Sequence, residues 1–151
     1  YATQLARDYH TDLLLVSNQE EEQKQVAADL AAQYGVKTIP LYADLSKQDA
    51  AEQLFAYCQE NNLVVDILIN NAGVFFFNPY CETSMKRIEL ILNLHMITVA
   101  KLTRLFGEEM MKRTDCRRTS TKTLWQVAQE RVYPQHVIHV CVDGYARYSI
   151  V

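Results

Sequence analysis

The chain has 151 residues, of which 49% are hydrophobic and 22% are charged, and its formal net charge is −3. This length suits one domain with a sizeable core, and the composition is that of an ordinary globular protein. The negative charge excludes a general basic surface for nucleic acid or acidic membranes. Residues 88–106 form the most apolar run, but Glu89, Lys101 and Arg104 interrupt it, so we predict neither a transmembrane helix nor a membrane partner.

The first three predicted elements are a helix end, a strand and a helix. Residues 1–9 look like the end of a helix, and the aliphatic run TDLLLVS (11–17) predicts a buried strand. A helix is predicted over EEEQKQVAADLAAQYG (20–35), with acidic residues in its first turn and Gly35 at its C-cap.

The same alternation continues through the next segments. VKTIPLYADL (36–45) predicts a second strand, and SKQDAAEQLFAYCQENN (46–62) predicts a second complete helix. We expect Ser46 to cap this helix, with Asp49 in the acceptor position of a capping box. VVDILIN (64–70) predicts a third strand.

A long helix is predicted over residues 84–113, because apolar residues recur there every three or four positions. Strand and helix alternating at this rhythm predict an α/β fold, a parallel sheet with helices on both faces. The remaining residues, 114–151, do not continue the rhythm. A helix over 122–130 and a strand over HVIHVCV (136–142) are the elements that their pattern favours.

Cysteine and histidine spacing gives no sign of a metal site. The four cysteines form no C-x-x-C pair, and His136 and His139 lack an evident third ligand. Scattered thiols in an α/β chain are typical of a reducing compartment, and no signal peptide is visible, so we predict a cytoplasmic protein. Because Tyr1 lies in the middle of a predicted helix, we also expect the chain to be a fragment.

The third strand ends in DILINNAGVF (66–75), two amides followed by two small residues. In doubly wound sheets ligands bind at the carboxyl ends of strands. Amide side chains can join neighbouring loops through their donors and acceptors, while Ala72 and Gly73 let a flat ligand approach the backbone. The alternative is an ordinary turn, because Asn and Gly are turn residues.

With YADL (42–45) one βαβ unit earlier, this segment strongly resembles the short-chain dehydrogenase/reductase family. The resemblance implies a Rossmann-like doubly wound parallel sheet and a nicotinamide cofactor. It implies that Asn71, Ala72 and Gly73 line the cofactor cleft, and that Asp44 and Leu45 meet the adenine ring. For Asp44, a residue that merely flanks the following helix stays open as an alternative.

Two further parts of the cofactor and active site follow from the same resemblance. ELILNLHMITVAKLTRLF (89–106) is similar to the family's helix with a catalytic asparagine, here Asn93, which holds a water of the proton relay. No carboxylate follows the first predicted strand until Glu20, and Ser17 and Asn18 could donate hydrogen bonds to a 2′-phosphate, so NADP is favoured over NAD. His95 is interpreted as a satisfied or partly exposed helix residue.

The resemblance covers residues 1–113, which we predict to be a partial NAD(P)-binding domain. The family's first strand and glycine-rich turn should lie before Tyr1. Its catalytic Ser and Tyr-x-x-x-Lys should follow the long helix, and residues 114–151 contain no such pattern. Without that acid/base pair a hydride transfer has no proton partner, so we expect this chain itself to be inactive.

One hypothesis for the atypical tail, residues 114–151, is a frameshift between residues 113 and 131. Codons for residues 131–151, read one base later, can encode GYILNTSSMSAWMAMPGIALY. This resembles the family's fifth strand, its catalytic serine and the approach to its catalytic tyrosine. A genuine, divergent C-terminus is the other interpretation.

By this resemblance, the parent protein transfers a hydride between NAD(P)H and a small carbonyl or alcohol substrate, and it forms homo-oligomers through the helix over 84–113. A non-catalytic nucleotide-binding remnant and an interaction module unrelated to nucleotides stay open as alternatives. The aromatic residues after Gly73 (Phe75, Phe76, Phe77 and Tyr80) could wall an apolar substrate pocket or simply pack.

Overall fold

The computed structural model describes residues 1–77, 79–113 and, for the backbone alone, 136–140. The helices are α1 (Ala2–Tyr9), α2 (Glu20–Tyr34), α3 (Ala50–Glu60), α4 (Met85–Leu92) and α5 (Thr98–Arg113), with a 3₁₀ turn at Tyr80–Glu82 and a π-helix at Asn93–Ile97. The strands are β1 (Asp12–Ser17), β2 (Thr38–Tyr42), β3 (Ile67–Asn70) and β4 (His136–Val140). The predicted helix over 122–130 lies outside the described residues, and the division at residue 113 stays a prediction.

All strand pairs in the four-stranded sheet are parallel, and the order is β2-β1-β4-β3. Pro40 lies in β2, an edge strand, where a missing N–H costs least. In a complete Rossmann sheet the strands, numbered along the chain, lie in the order 3-2-1-4. β2, β1 and β3 of this chain occupy the positions of the third, second and fourth strands of that sheet. The place of the first strand, which the sequence predicted to be missing, is taken here by β4.

Helices cover both faces of the sheet, which confirms the doubly wound α/β prediction. Alternate residues of β1 point to opposite faces. Leu14 and Val16 pack in one core with residues of α3 and α5. Leu13 and Leu15 pack in a second core with residues of α1 and α2.

The helix ends agree with the sequence at Gly35 and disagree at Ser46. Gly35 has φ 68°, and its N–H donates to the carbonyl of Ala31 at 3.0 Å, as expected of a C-cap glycine. Ser46 does not cap α3, which begins at Ala50 with Asp49 at its N-cap. The predicted capping box was therefore wrong: the Ser46 hydroxyl donates instead to Asp44 Oδ1 at 2.6 Å, within a turn that precedes the helix.

The predicted long helix is present but is interrupted by the π-helix. Its span, Met85–Arg113, is long and apolar enough by length and composition to cross a membrane. The second half of the helix, however, packs as a core element of this fold. Leu102 and Phe106 are buried, and the Phe106 ring meets the Phe55 ring of α3 edge to face, with centroids 5.2 Å apart.

Candidate functional site

The predicted site residues lie at one edge of the sheet, because parallel strands present their carboxyl ends on the same side. β1 ends at Ser17, β2 ends two residues before Asp44, and β3 ends at Asn70. The Ala43 N–H donates to the Ser17 carbonyl at 2.9 Å, which joins the first two of these strand ends. This edge is where open α/β sheets bind ligands.

The end of β1 places Ser17 and Asn18 in different environments. Ser17 is buried, and its hydroxyl oxygen accepts a hydrogen bond from the Gln19 N–H at 3.0 Å. Asn18 is exposed at the start of the loop into α2. The first carboxylate beyond this strand, Glu20, lies 2.7 Å from Lys24 Nζ, which also lies 3.5 Å from Glu21.

The segment after β2 presents a carboxylate beside a buried leucine. Asp44 Oδ1 accepts hydrogen bonds from the Ser46 N–H at 3.1 Å and from the Ser46 hydroxyl. Leu45 is 1% exposed, and its carbonyl accepts a hydrogen bond from the Thr98 hydroxyl at 2.8 Å. These contacts place Asp44 in the turn that precedes α3, which fits the alternative of a residue flanking that helix. Its contact with the adenine ring stays a prediction.

A salt bridge reinforces this connection between the β2 loop and the long helix. Lys101 Nζ of α5 lies 2.7 Å from Glu52 Oε1 of α3 and donates to the Gln48 carbonyl at 2.6 Å. The hydrogen bond from Lys101 favours the ionised carboxylate and lowers the pKa of Glu52 below its ordinary value. The loop before α3 is thereby held against α5.

The third strand end holds the NNAG segment. Asn70 Nδ2 donates to Thr103 Oγ1 of α5 at 3.3 Å. Asn71 is exposed, whereas Ala72 and Gly73 are partly buried. The segment is therefore tied to the long helix through the Asn70 amide, as expected for amide side chains that join neighbouring elements. Its role in cofactor binding stays a prediction.

Asn93, the predicted catalytic residue, begins the π-helix. The Thr98 N–H donates to the Asn93 carbonyl, five residues back, so this turn is wider than an α-helical turn. π-turns inside α-helices are frequent at functional sites. The sequence placed Asn93 on a helix, but nothing in its periodicity marked the wider turn.

His95 is a residue whose contacts the sequence did not reveal. Its side chain is exposed, as one of the predicted alternatives has it, but the ring also contacts the loop after β3. Nε2 lies 3.0 Å from the backbone nitrogen of Val74 and 3.0 Å from its carbonyl oxygen. Since His95 and Val74 are 21 positions apart, only the folded arrangement could show this contact.

The aromatic residues that follow the NNAG segment lie mostly at the surface. Phe75 is 65% exposed, Phe77 is 92% exposed and Tyr80 is 80% exposed, so packing into the core does not explain them. The rings of Phe75 and Phe77 meet edge to face at 4.7 Å, and the Arg87 guanidinium lies 4.7 Å from the centre of the Phe76 ring. Among the residues that the structure describes, no cluster of His, Cys, Asp or Glu could hold a metal ion.

Comparison with known proteins gives a consistent match. The family model for short chain dehydrogenases matches residues 1–120. The very-long-chain 3-oxoacyl-CoA reductase of Anas platyrhynchos is 29% identical over 119 residues, covering 76% of this chain and 37% of the relative. The inactive hydroxysteroid dehydrogenase-like protein 1 of Homo sapiens is 29% identical over 117 residues, covering 75% of this chain and 34% of the relative.

A solved structure shows the same likeness in three dimensions. The short-chain dehydrogenase from Sphingobium yanoikuyae in complex with NADPH aligns with a TM-score of 0.67 and 27% identity, covering 74% of this chain and 43% of that chain. The chain thus spans less than half the length of these relatives.

Proposed function

The chain belongs to the short chain dehydrogenase family, and we propose that it forms the cofactor-binding part of an NAD(P)-dependent oxidoreductase. The parent protein would transfer a hydride between the nicotinamide and a small carbonyl or alcohol substrate. The observation that carries this proposal is that both segments follow the carboxyl ends of parallel strands and lie next to hydrogen bonds with the same long helix. The Leu45 carbonyl accepts from Thr98, and Asn70, which precedes residues 71–73, donates to Thr103. Asp44 and Leu45 would flank the adenine, and Asn71, Ala72 and Gly73 would line the cleft.

NADP is the cofactor that the end of β1 favours. The Ser17 hydroxyl and the Asn18 amide could both donate to a 2′-phosphate. The carboxylate of Glu20, which would repel that phosphate, is paired with Lys24. The relative from Sphingobium yanoikuyae holds NADPH, which supports the same choice.

Asn93 would contribute to the proton relay of the parent protein. The 151 residues contain no Tyr-x-x-x-Lys pattern to supply the acid/base pair, so this chain on its own should not turn over substrate. The cofactor, when bound, supplies the hydride chemistry. The chain's residues would bind it and orient it.

A non-catalytic nucleotide-binding protein is the second candidate function. It is favoured by the match to a human relative that is itself described as inactive, together with the missing Tyr-x-x-x-Lys pattern. Both candidates predict a bound nicotinamide nucleotide. The two candidates differ in what they predict for the coding DNA. If the parent is an active oxidoreductase, the codons after residue 113, read in another frame, should encode the family's catalytic serine and tyrosine; if it is non-catalytic, they should not.

Two features of the surface support partners for the parent protein. Met85, Leu92 and Met96 are 68%, 44% and 62% exposed along the long helix, which fits a homo-oligomer formed through residues 84–113. The aromatic loop of Phe75 and Phe77 would wall an apolar substrate.

The free thiol of Cys81, exposed at the surface, fits a reducing, cytoplasmic location.

The proposal is tested by titrating the chain with NADPH and NADH and following nicotinamide fluorescence and the midpoint of thermal unfolding. NADPH at a hundredfold over its Kd should add about 2.7 kcal/mol to the free energy of unfolding, and NADH should bind more weakly.

Ser17→Asp should lower the affinity for NADPH and leave the affinity for NADH unchanged, because the new carboxylate repels the 2′-phosphate. Gln33→Asp, at the far end of α2, is the control with the same added charge. Binding of neither nucleotide would exclude both candidate functions for this chain.

A further inference from the structure

His95 of the π-helix contacts the backbone of the loop that follows β3. Its Nε2 lies 3.0 Å from the Val74 nitrogen and 3.0 Å from the Val74 carbonyl oxygen. One ring nitrogen cannot accept and donate at once, so the tautomer decides which group it holds. The Val74 N–H points at Nε2, and the neutral ring protonated at Nδ1 is the form that accepts it.

The same ring covers Gly73. A Cβ added to Gly73 would lie 3.0 Å from His95 Cε1, closer than real Cβ contacts usually come, and 3.5 Å from Nε2, an ordinary contact distance. Among the described residues, Gly35 is the glycine with positive φ, so the backbone conformation of Gly73 does not itself require a glycine. A side chain at position 73 would therefore have to displace the imidazole ring by a few tenths of an ångström.

We propose that His95 is a positioning residue that fixes the loop after β3, residues 72–74, against the π-helix that begins at Asn93. This inference rests on the proposed function for its purpose, since that loop is the one assigned to the cofactor cleft. Because His95 and Asn93 share one π-turn, the hydrogen bond to Val74 sets the cleft wall and the relay asparagine relative to each other.

The loop contact is tested on the ligand-free chain by NMR. In His95→Ala the Val74 amide should exchange its hydrogen about tenfold faster, as expected for the loss of one hydrogen bond. In His95→Gln exchange should stay slow, because a carboxamide oxygen can accept the N–H while its NH₂ donates to the carbonyl. The ¹⁵N shifts of the His95 ring should show a proton on Nδ1 and none on Nε2 in the unmutated chain.

The link to the cofactor cleft is tested by a double-mutant cycle with NADPH affinity as the readout. Gly73→Ala should weaken NADPH about tenfold with His95 present and have little effect in the His95→Ala background, where the ring is gone. His95→Ala should itself weaken NADPH binding, and His95→Gln should bind NADPH with nearly the affinity of the unmutated chain.

The outcomes separate the two proposals. Unchanged Val74 exchange in His95→Ala, or additive effects of the two substitutions on NADPH affinity, would overturn the positioning role. If the unmutated chain binds no nucleotide, the proposed function is contradicted, and the ligand-free exchange of Val74 still decides whether His95 fixes the loop.

Discussion

Thr98 shows how a single hydroxyl joins the long helix to the predicted adenine segment. The side chain is 3% exposed and donates to the Leu45 carbonyl at 2.8 Å. Leu45 is itself buried, so its carbonyl has no ready access to water. A buried acceptor that loses its donor keeps the full cost of its desolvation.

Thr98→Val removes this donor without changing the shape of the side chain. We expect the free energy of unfolding to fall by about 1–3 kcal/mol, measured by urea denaturation. Thr103→Val is the matched control, because its partner Asn70 is exposed and the hydrogen bond is 3.3 Å long; the expected loss there is about 0.5 kcal/mol or less. Equal losses in the two variants would refute the special role given to the buried hydroxyl.

The Cys58 thiol predicts an alkaline loss of stability. Burial raises the pKa of Cys58 from 9.0 to about 11. The folded state therefore holds the thiol proton more tightly than the unfolded state. The protonated thiol contributes its full share to the free energy of unfolding below pH 9, and this share is lost as the pH rises toward 11. Between these values Cys58→Ala should lose less stability than the unmutated chain, whereas Cys81→Ala, at an exposed thiol, should follow the unmutated chain.

At the scale of elements, α5 anchors the site because it packs on α3 and reaches the loops after β2 and β3. Phe106 is 2% exposed, and its ring contacts Phe55. The charged contact between Lys101 and Glu52 lies beside this apolar one at the surface. Exposed ion pairs contribute little, so the apolar contact carries most of the docking energy.

Phe106→Ala should lower the free energy of unfolding by about 3–5 kcal/mol, because it removes a buried ring and leaves a cavity. Met111→Ala changes a side chain of the same helix that is 59% exposed, and we expect a change of about 0.5 kcal/mol or less. Chemical denaturation of both variants measures the difference. A loss at Phe106 no larger than at Met111 would contradict the docking of α5 on α3.

The elements themselves were largely predictable from the sequence, because burial on one face leaves a periodic pattern. The leucines of β1 and the glycine after α2 gave correct predictions for this reason. Ser46 misled, because a serine three residues before an acidic side chain fits a capping box equally well when it belongs to a turn. The contact of His95 with Val74 joins residues 21 positions apart, so no local pattern encodes it. The π-turn between Asn93 and Thr98 is local, but the apolar periodicity of the helix does not mark it.

The architecture of the whole molecule depends on β4. This strand pairs with β1 on one side and β3 on the other, in parallel on both. In the Rossmann order this place belongs to the first strand, whose carboxyl end leads into the phosphate-binding turn. Without a strand there, the backbone groups of β1 and β3 that face each other would have no partners in the sheet. The alternating pattern of 136–142 predicted a strand, but no local pattern indicated which strands it would pair with.

Ile138→Pro tests this arrangement, because proline lacks the N–H that a central strand needs. Ile138 is aligned with Leu14 of β1 and Leu68 of β3. We expect a loss of about 1–3 kcal/mol for each backbone group left without a partner, seen as a lower urea midpoint. Ile138→Val keeps the N–H and should unfold close to the unmutated chain. A proline variant as stable as the valine variant would show that β4 does not complete the sheet.

Binding of a nicotinamide nucleotide at the carboxyl edge of the sheet is best tested by amide hydrogen exchange of the chain with and without saturating NADPH. If NADPH binds there, exchange should slow in three segments that are distant in sequence, around residues 17–18, 44–45 and 71–74, with little change in α1. Slower exchange spread evenly over the chain, or confined to residues away from these strand ends, would contradict it.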